Sequence, residues 1–266
     1  HPTFDNLAQI MRRWDLKVTP LTEDQVFKSN PMDTSTNLPN LDAIFIVNPN
    51  NPTGSFLMPE QAANIISWCK NNNKLLIVDQ TFRFFNQHPF DLIKMLKESG
   101  ISYISIEDTG KTFPTQDMKA SIISYSADMA TQIEVVYEEI FLAVSPFALL
   151  VLNHFVSDAL QRGIENVVFD KVRHHRRLVL TSLEGTLLTP ASKSDLYLSV
   201  QWLKIEDPEL FDLDIVEHLS HSGLYVLQGR HFFWADSKQG ERYVRVSLLK
   251  PHDKFAIACQ VLRKQL

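Results

Sequence analysis

Apolar and polar positions alternate along the first half of the chain in runs that predict distinct elements. Residues 4–14 (FDNLAQIMRRW) carry apolar side chains at helical spacing. Residues 41–48 (LDAIFIVN) form an apolar run closed by a Pro/Asn/Gly cluster, which predicts a buried strand. Residues 58–73 (MPEQAANIISWCKNNN) read as a helix, with Pro near the start and polar residues at the end. A second apolar strand follows at 74–80 (KLLIVDQ), then a helix closed by glycine at 89–100. Further strands are predicted at 101–108 (ISYISIED) and 119–127 (KASIISYSA). Strands that alternate with helices predict an α/β fold with a mainly parallel sheet. Ligands of such sheets bind beyond the carboxyl ends of the strands. That directs attention to residues 48–54, Asp79 and Lys111, each just past a strand.

The pattern changes near residue 165. Residues 165–185 read as one long helix, followed by strand-like runs at 195–205, 223–234 and 242–250 and a last helix at 253–265. The prediction is a large domain over 1–168 and a smaller α+β domain over 169–266. The basic run RHHRR (173–177) reads as the solvated face of a helix, because adjacent histidines diverge in direction. His231 and Trp234 read as packing and rim residues, and Cys69 and Cys259 as core.

Composition narrows the classes. A chain of 266 residues buries roughly three-quarters of its unfolded surface and needs no disulfides. Its two cysteines lie far apart and outside any metal-ligand spacing, which predicts a reducing compartment, the cytoplasm, and no metal. A net charge of -5, from 26 Lys+Arg against 31 Asp+Glu, leaves no cation surplus to displace counterions from nucleic acid. No apolar run has the length of a membrane span; FALLVL (147–152) stops at Asn153 and His154. The start, HPTFDNL, has neither an initiating Met nor a signal-peptide layout, so a processed or truncated piece is expected.

Lys111 stands in SIEDTGKTFP (105–114). A phosphate-gripping loop would need glycine at 105, where Ser105 stands, and a helix directly after, where Pro114 intervenes. No GxGxxG occurs, and the chain has only 8 glycines. The other chemistry open to such a lysine is a Schiff base with an aldehyde cofactor. Pyridoxal phosphate also needs a carboxylate at its ring nitrogen, a donor to its phenolic oxygen, cations or amides for its phosphate, and an arginine for the substrate carboxylate. The sequence offers these in order: NPNNPTG (48–54), VDQTFRFF (78–85), Lys111 at 32 positions after Asp79, and YVRVSLL (243–249).

With these motifs the chain resembles the fold-type-I pyridoxal-phosphate aminotransferases of class I/II over nearly its whole length. The resemblance implies pyridoxal 5'-phosphate as cofactor, an amino acid and a 2-oxo acid as substrates, and a homodimer. It implies that Asn51 bonds the phenolic oxygen and that Asp79 partners the ring nitrogen. Lys111 would form the Schiff base and shuttle the proton, and Arg245 would clamp the α-carboxylate. Lys119 falls where the family has a phosphate-binding Arg; it keeps the charge and loses the bidentate fork. Three departures stand out. The family's DEAY is here DQTF, which puts Phe82 in place of a Tyr beside the cofactor and should raise the pKa of the protonated imine. The Ser usual three positions before the lysine is Asp108, so Thr109 becomes the expected phosphate contact. Members of the family also carry a segment ahead of the HPTF point, so this chain alone is expected to bind cofactor weakly. A decarboxylase, lyase or oxidase on the same scaffold is an alternative, as is a non-catalytic half-length homologue. The full Asn51–Asp79–Lys111–Arg245 set disfavours the last.

Overall fold

The chain opens with helix α1 (Asp5–Arg13) and the short helix α2 (Glu23–Phe27) before its first strand. A computed structural model describes residues 1–28, 41–86, 89–118, 120–192 and 198–266. They form two units, one of Glu23–Pro49 and Phe56–Val167, the other of His1–Thr22, Asn50–Ser55 and Val168–Leu266.

In the first unit the predicted alternation appears as β1 (Ala43–Val47), α3 (Pro59–Asn72), β2 (Leu75–Asp79), α4 (Leu92–Ser99), β3 (Tyr103–Asp108) and β4 (Ser121–Tyr125). The sheet runs β1-β2-β3-β4, with the first three strands parallel and β4 antiparallel to β3. Local chemistry sets the helix limits. The Met58 N–H donates to Gln61 Oε1 at 2.7 Å and Pro59 occupies the first turn of α3, while Asn73 ends it at φ 52°. Asp91 accepts from the Lys94 N–H at 2.9 Å to start α4, and Gly100 stops it at φ 72°. Ala62, Ile65, Ile66 and Cys69 line the buried face of α3, and Ile44, Ile46, Leu76 and Val78 supply the sheet's share of the core.

Two helices that the pattern did not announce complete this unit: α5 (Ala130–Ile140) and α6 (Pro146–Arg162). No residue of α5 is buried; its Val135, Val136 and Ile140 are exposed. Strand β4 pairs with β3 alone among the described residues, and its Ser121, Ile122 and Ile123 are exposed. No helix among the described residues is long and apolar enough to cross a membrane.

In the second unit a wider helical turn leads into α7 (Asp170–Ser182). Then come β5 (Leu188–Pro190), β6 (Val200–Ile205), α8 (Asp212–Ser220), β7 (Leu227–Gln228), β8 (Tyr243–Ser247) and α9 (His252–Gln265). The sheet is antiparallel in the order β5-β6-β8-β7, and α7 packs against α9. Trp202 stacks on Tyr243 at 5.1 Å and meets Phe232 edge-on at 5.3 Å. The run 223–234 is not one strand: only Leu227–Gln228 pairs, and Gly229–Phe232 coils into a 3-10 turn. The reason is a close approach of backbones, since a Cβ on Gly229 would collide with the Gly240 and Tyr243 carbonyls.

The basic run 173–177 is not a solvated face either. Helical spacing puts Val172, His175, Arg176, Val179 and Ser182 on the buried side of α7. Arg176 donates to the Leu198 and Val200 carbonyls at 3.1 and 3.3 Å. His175 is fully buried, with Nδ1 2.7 Å from the Leu248 carbonyl and Nε2 3.2 Å from His252 Nδ1. A carbonyl only accepts, so Nδ1 of His175 carries the proton and neutral Nε2 accepts from His252.

This arrangement predicts acid sensitivity. Burial lowers the His175 pKa and Lys171, His252 and His174 lower it further, against the Leu248 carbonyl bond, which raises it. The fold therefore prefers neutral His175, whereas the unfolded chain takes a proton below about pH 6.5. Stability is complete above that pH and falls as the pH drops toward the depressed folded value, by up to about 1.4 kcal/mol per pH unit. Thermal melts of the wild type should therefore decline as the pH falls below about 6.5, and those of His175→Phe should be flatter there.

Candidate active site

The parallel register Val47↔Asp79 and Asp79↔Ile106 brings the ends of β1, β2 and β3 to one side of the sheet. Asp79 is the last residue of β2, and its carbonyl accepts from the Asn48 N–H at 2.8 Å. The Asp79 carboxylate accepts from the Thr81 N–H at 2.8 Å and also bonds the Thr81 side chain. Burial raises its pKa above the usual carboxylate range and Asp108 pushes the same way, while the Thr81 bonds and the Lys111 charge oppose them. Lys111 closes the 3-10 turn Thr109–Lys111 that follows β3. Asp108 caps that turn by accepting from the Gly110 N–H at 2.9 Å. Asp79 and Lys111 are thus brought within electrostatic reach of each other at neighbouring strand ends.

The Thr109 hydroxyl donates its only proton to the Ala120 carbonyl at 2.7 Å, so it could donate to a phosphate only by giving up that bond. Phe82 is buried, with its ring 6.0 Å from that of Phe85. Next to it Arg83 forms an ion pair with the buried Glu107, and Gln80 Nε2 donates to Ser105 Oγ at 2.6 Å. Lys119 lies outside the described residues. Cys69 and Cys259 are buried free thiols.

In the second unit the loop Asn50–Ser55 is closed by its own hydrogen bonds. The Asn50 N–H donates to the Ser55 carbonyl at 2.7 Å, and the Gly54 N–H, at φ 82°, donates to the Asn50 carbonyl at 2.8 Å. Asn50 Nδ2 reaches the Pro2 carbonyl at 2.9 Å and Thr53 Oγ1 at 3.1 Å. Asn51, buried, accepts from Arg245 Nη1 through Oδ1 at 3.2 Å. Arginine only donates, so this bond fixes which way the amide faces and turns Nδ2 elsewhere as a donor. Arg245 sits on β8 with its guanidinium 5.1 Å from the Phe232 ring centroid. Its Nε is buried without a hydrogen-bond partner among the described residues. Burial lowers the Arg245 pKa to about 10, and Asp5 opposes that.

A lysine and a half-buried carboxylate stand at parallel strand ends in one unit, and an asparagine–arginine pair stands in the other, all residue types that the pyridoxal-phosphate class uses. The chain belongs to the aminotransferase class I and II family, whose model matches residues 1–262. It is 29% identical to MppP, in a structure soaked with the product 2-ketoarginine. The TM-score is 0.89, over 99% of this chain and 74% of that one. It is 24% identical to the aromatic aminotransferase ISS1 of Arabidopsis thaliana, over 73% of this chain and 49% of that protein. It is 25% identical to the LL-diaminopimelate aminotransferase of Maridesulfovibrio salexigens, over 94% of this chain and 63% of that protein. The chain therefore spans about half to two-thirds of the length of these two curated relatives.

Members of the family use pyridoxal 5'-phosphate, and the residues present fit it. A carboxylate whose pKa is lifted by burial gains from a cationic N–H such as a protonated pyridine nitrogen. The Nδ2 of Asn51, a donor not used toward Arg245, suits a phenolate oxygen, and the Nε of Arg245 suits a carboxylate. Thr81 escaped the sequence reading, although its hydroxyl was visible in DQTF where the family pattern DEAY has alanine.

Proposed function

We propose that the protein is a pyridoxal-phosphate-dependent aminotransferase acting on an amino acid and 2-oxo acid pair. The observation that carries this reading is that Asp79 and Lys111 stand at adjacent strand ends, close enough for the lysine's charge to act on the carboxylate. Pyridoxal phosphate, when bound, supplies an electron sink for the substrate carbon. In this reading Lys111 holds the cofactor and then moves the substrate α-proton. Asp79 keeps the cofactor's ring nitrogen protonated, and Asn51 Nδ2 donates to its phenolic oxygen. Arg245 takes the α-carboxylate through its Nε edge and so orients the bond to be broken. Lys119 serves the phosphate, with Thr109 joining it only if the hydroxyl leaves Ala120. Phe82 packs close to the cofactor without donating to it. We place the large domain at 1–168, the small one at 169–266, and the assembly as a homodimer. The exposed apolar residues of α5 support that assembly.

The likeness to MppP, in a structure soaked with 2-ketoarginine, supports a cationic side chain on the substrate, and Asp108 offers a second carboxylate within electrostatic reach of Asp79. One bond from Gly110 leaves a carboxylate with lone pairs to spare. The test is amino-group transfer from labelled arginine, lysine, leucine and aspartate. Arginine and lysine should be preferred, and Asp108→Asn should lower kcat/KM for them by roughly 10- to 100-fold while leaving leucine little changed. Retention of the label on every amino acid would exclude transamination.

A further inference from the structure

We infer that Thr81 is a positioning residue: through one hydroxyl and one backbone N–H it holds the Asp79 carboxylate in place and ties it to the strand end that leads into Lys111. The inference rests on the reading of Asp79 as the partner of the cofactor's ring nitrogen.

The sheet register shows why Thr81 can do this. Strands β2 and β3 pair with Asp79 opposite Ile106, and the last backbone rung is the Gln80 N–H on the Ile106 carbonyl at 2.7 Å. Two residues further on, Thr81 stands opposite Asp108. There the Asp108 N–H donates to Thr81 Oγ1 at 3.4 Å, so a side chain makes the next rung. A backbone N–H can only donate, so the hydroxyl is the acceptor in that bond and its single proton is left for another partner. That partner is the Asp79 carboxylate, which also takes the Thr81 N–H at 2.8 Å. Two donors from one residue therefore converge on a carboxylate that burial and Asp108 drive toward the protonated form. Lys111 is the cation acting with them. The same hydroxyl fastens the backbone of Asp108, whose side chain caps the turn carrying Lys111. Alanine in this place would offer the N–H but neither hydroxyl bond.

The test uses the full chain as wild type, Thr81→Val, Thr81→Ser and Asp79→Asn, with melting curves to confirm folding. In the cofactor-free protein, the Asp79 carboxyl is titrated by infrared difference spectra against Asp79→Asn. Thr81→Val should raise its midpoint by about one pH unit, and Thr81→Ser should restore it. In absorbance titrations with pyridoxal phosphate, Thr81→Val should bind about tenfold more weakly and Thr81→Ser close to wild type. An unmoved midpoint in Thr81→Val, or no rescue by serine, overturns the inference even if Asp79→Asn weakens cofactor binding. Cofactor affinity unchanged in Asp79→Asn instead overturns the underlying reading of Asp79, and the role of Thr81 falls with it.

Discussion

Lys111→Ala is expected to remove turnover, with kcat falling by at least about 10⁴-fold. The described groups beside it at the strand ends cannot replace it: Asp79 and Asp108 are carboxylates, and Thr109 has its proton on Ala120. A methyl side chain can neither hold an aldehyde covalently nor carry a proton. After borohydride reduction, mass spectrometry should find the cofactor mass on the wild-type peptide containing Lys111 and on no peptide of the variant. Lys94→Ala is the control, because Lys94 is exposed and pairs with Glu98 one helical turn away. A variant at 111 with wild-type turnover would end the aminotransferase reading.

Asp79→Asn carries the second large effect, a loss of roughly 10²- to 10³-fold in kcat. An amide is nearly the same size as the carboxylate and can still accept the Thr81 N–H at its oxygen. It cannot, however, hold a proton on a ring nitrogen by charge. The substitution also separates function from folding. Burial disfavours the ionised Asp79, so a neutral amide should leave the melting temperature unchanged or raise it slightly while activity falls. Rate and stability lost together would make Asp79 a structural residue.

Much of the first unit was legible in the sequence because its signals are local. The apolar runs that became β1, β2 and β3 are bounded by Asn/Pro/Gly or by helix caps such as Asp91 and Gly100, which act within a few residues. Helix α6 has comparable punctuation in Ser145, Pro146 and Gly163. Its apolar residues Phe147, Leu149, Leu150 and Leu160 are exposed, so no polar face set off a helical period. The run 223–234 has the composition of a strand, but the pairing of Gly229 with Gly240 is decided across the fold, and no local window contains it. The same holds for His175, whose partners lie 73 and 77 positions away. In the candidate site, Asp79 and Lys111 could be picked out as residues just past strands. The bond between Asn51 and Arg245 joins positions 194 apart and is what orients the amide, which residue identities alone do not reveal.

The exposed strand β4 has a practical consequence. Its five residues, SIISY, contain no charge and no proline, and Ile122 and Ile123 face solvent. An uncharged, β-branched strand that pairs on one side only among the described residues is a template for adding further strands from other molecules. Solubility of the isolated polypeptide should therefore be limited at this border, and a lysine in place of Ile122 should raise the concentration at which the protein stays dispersed.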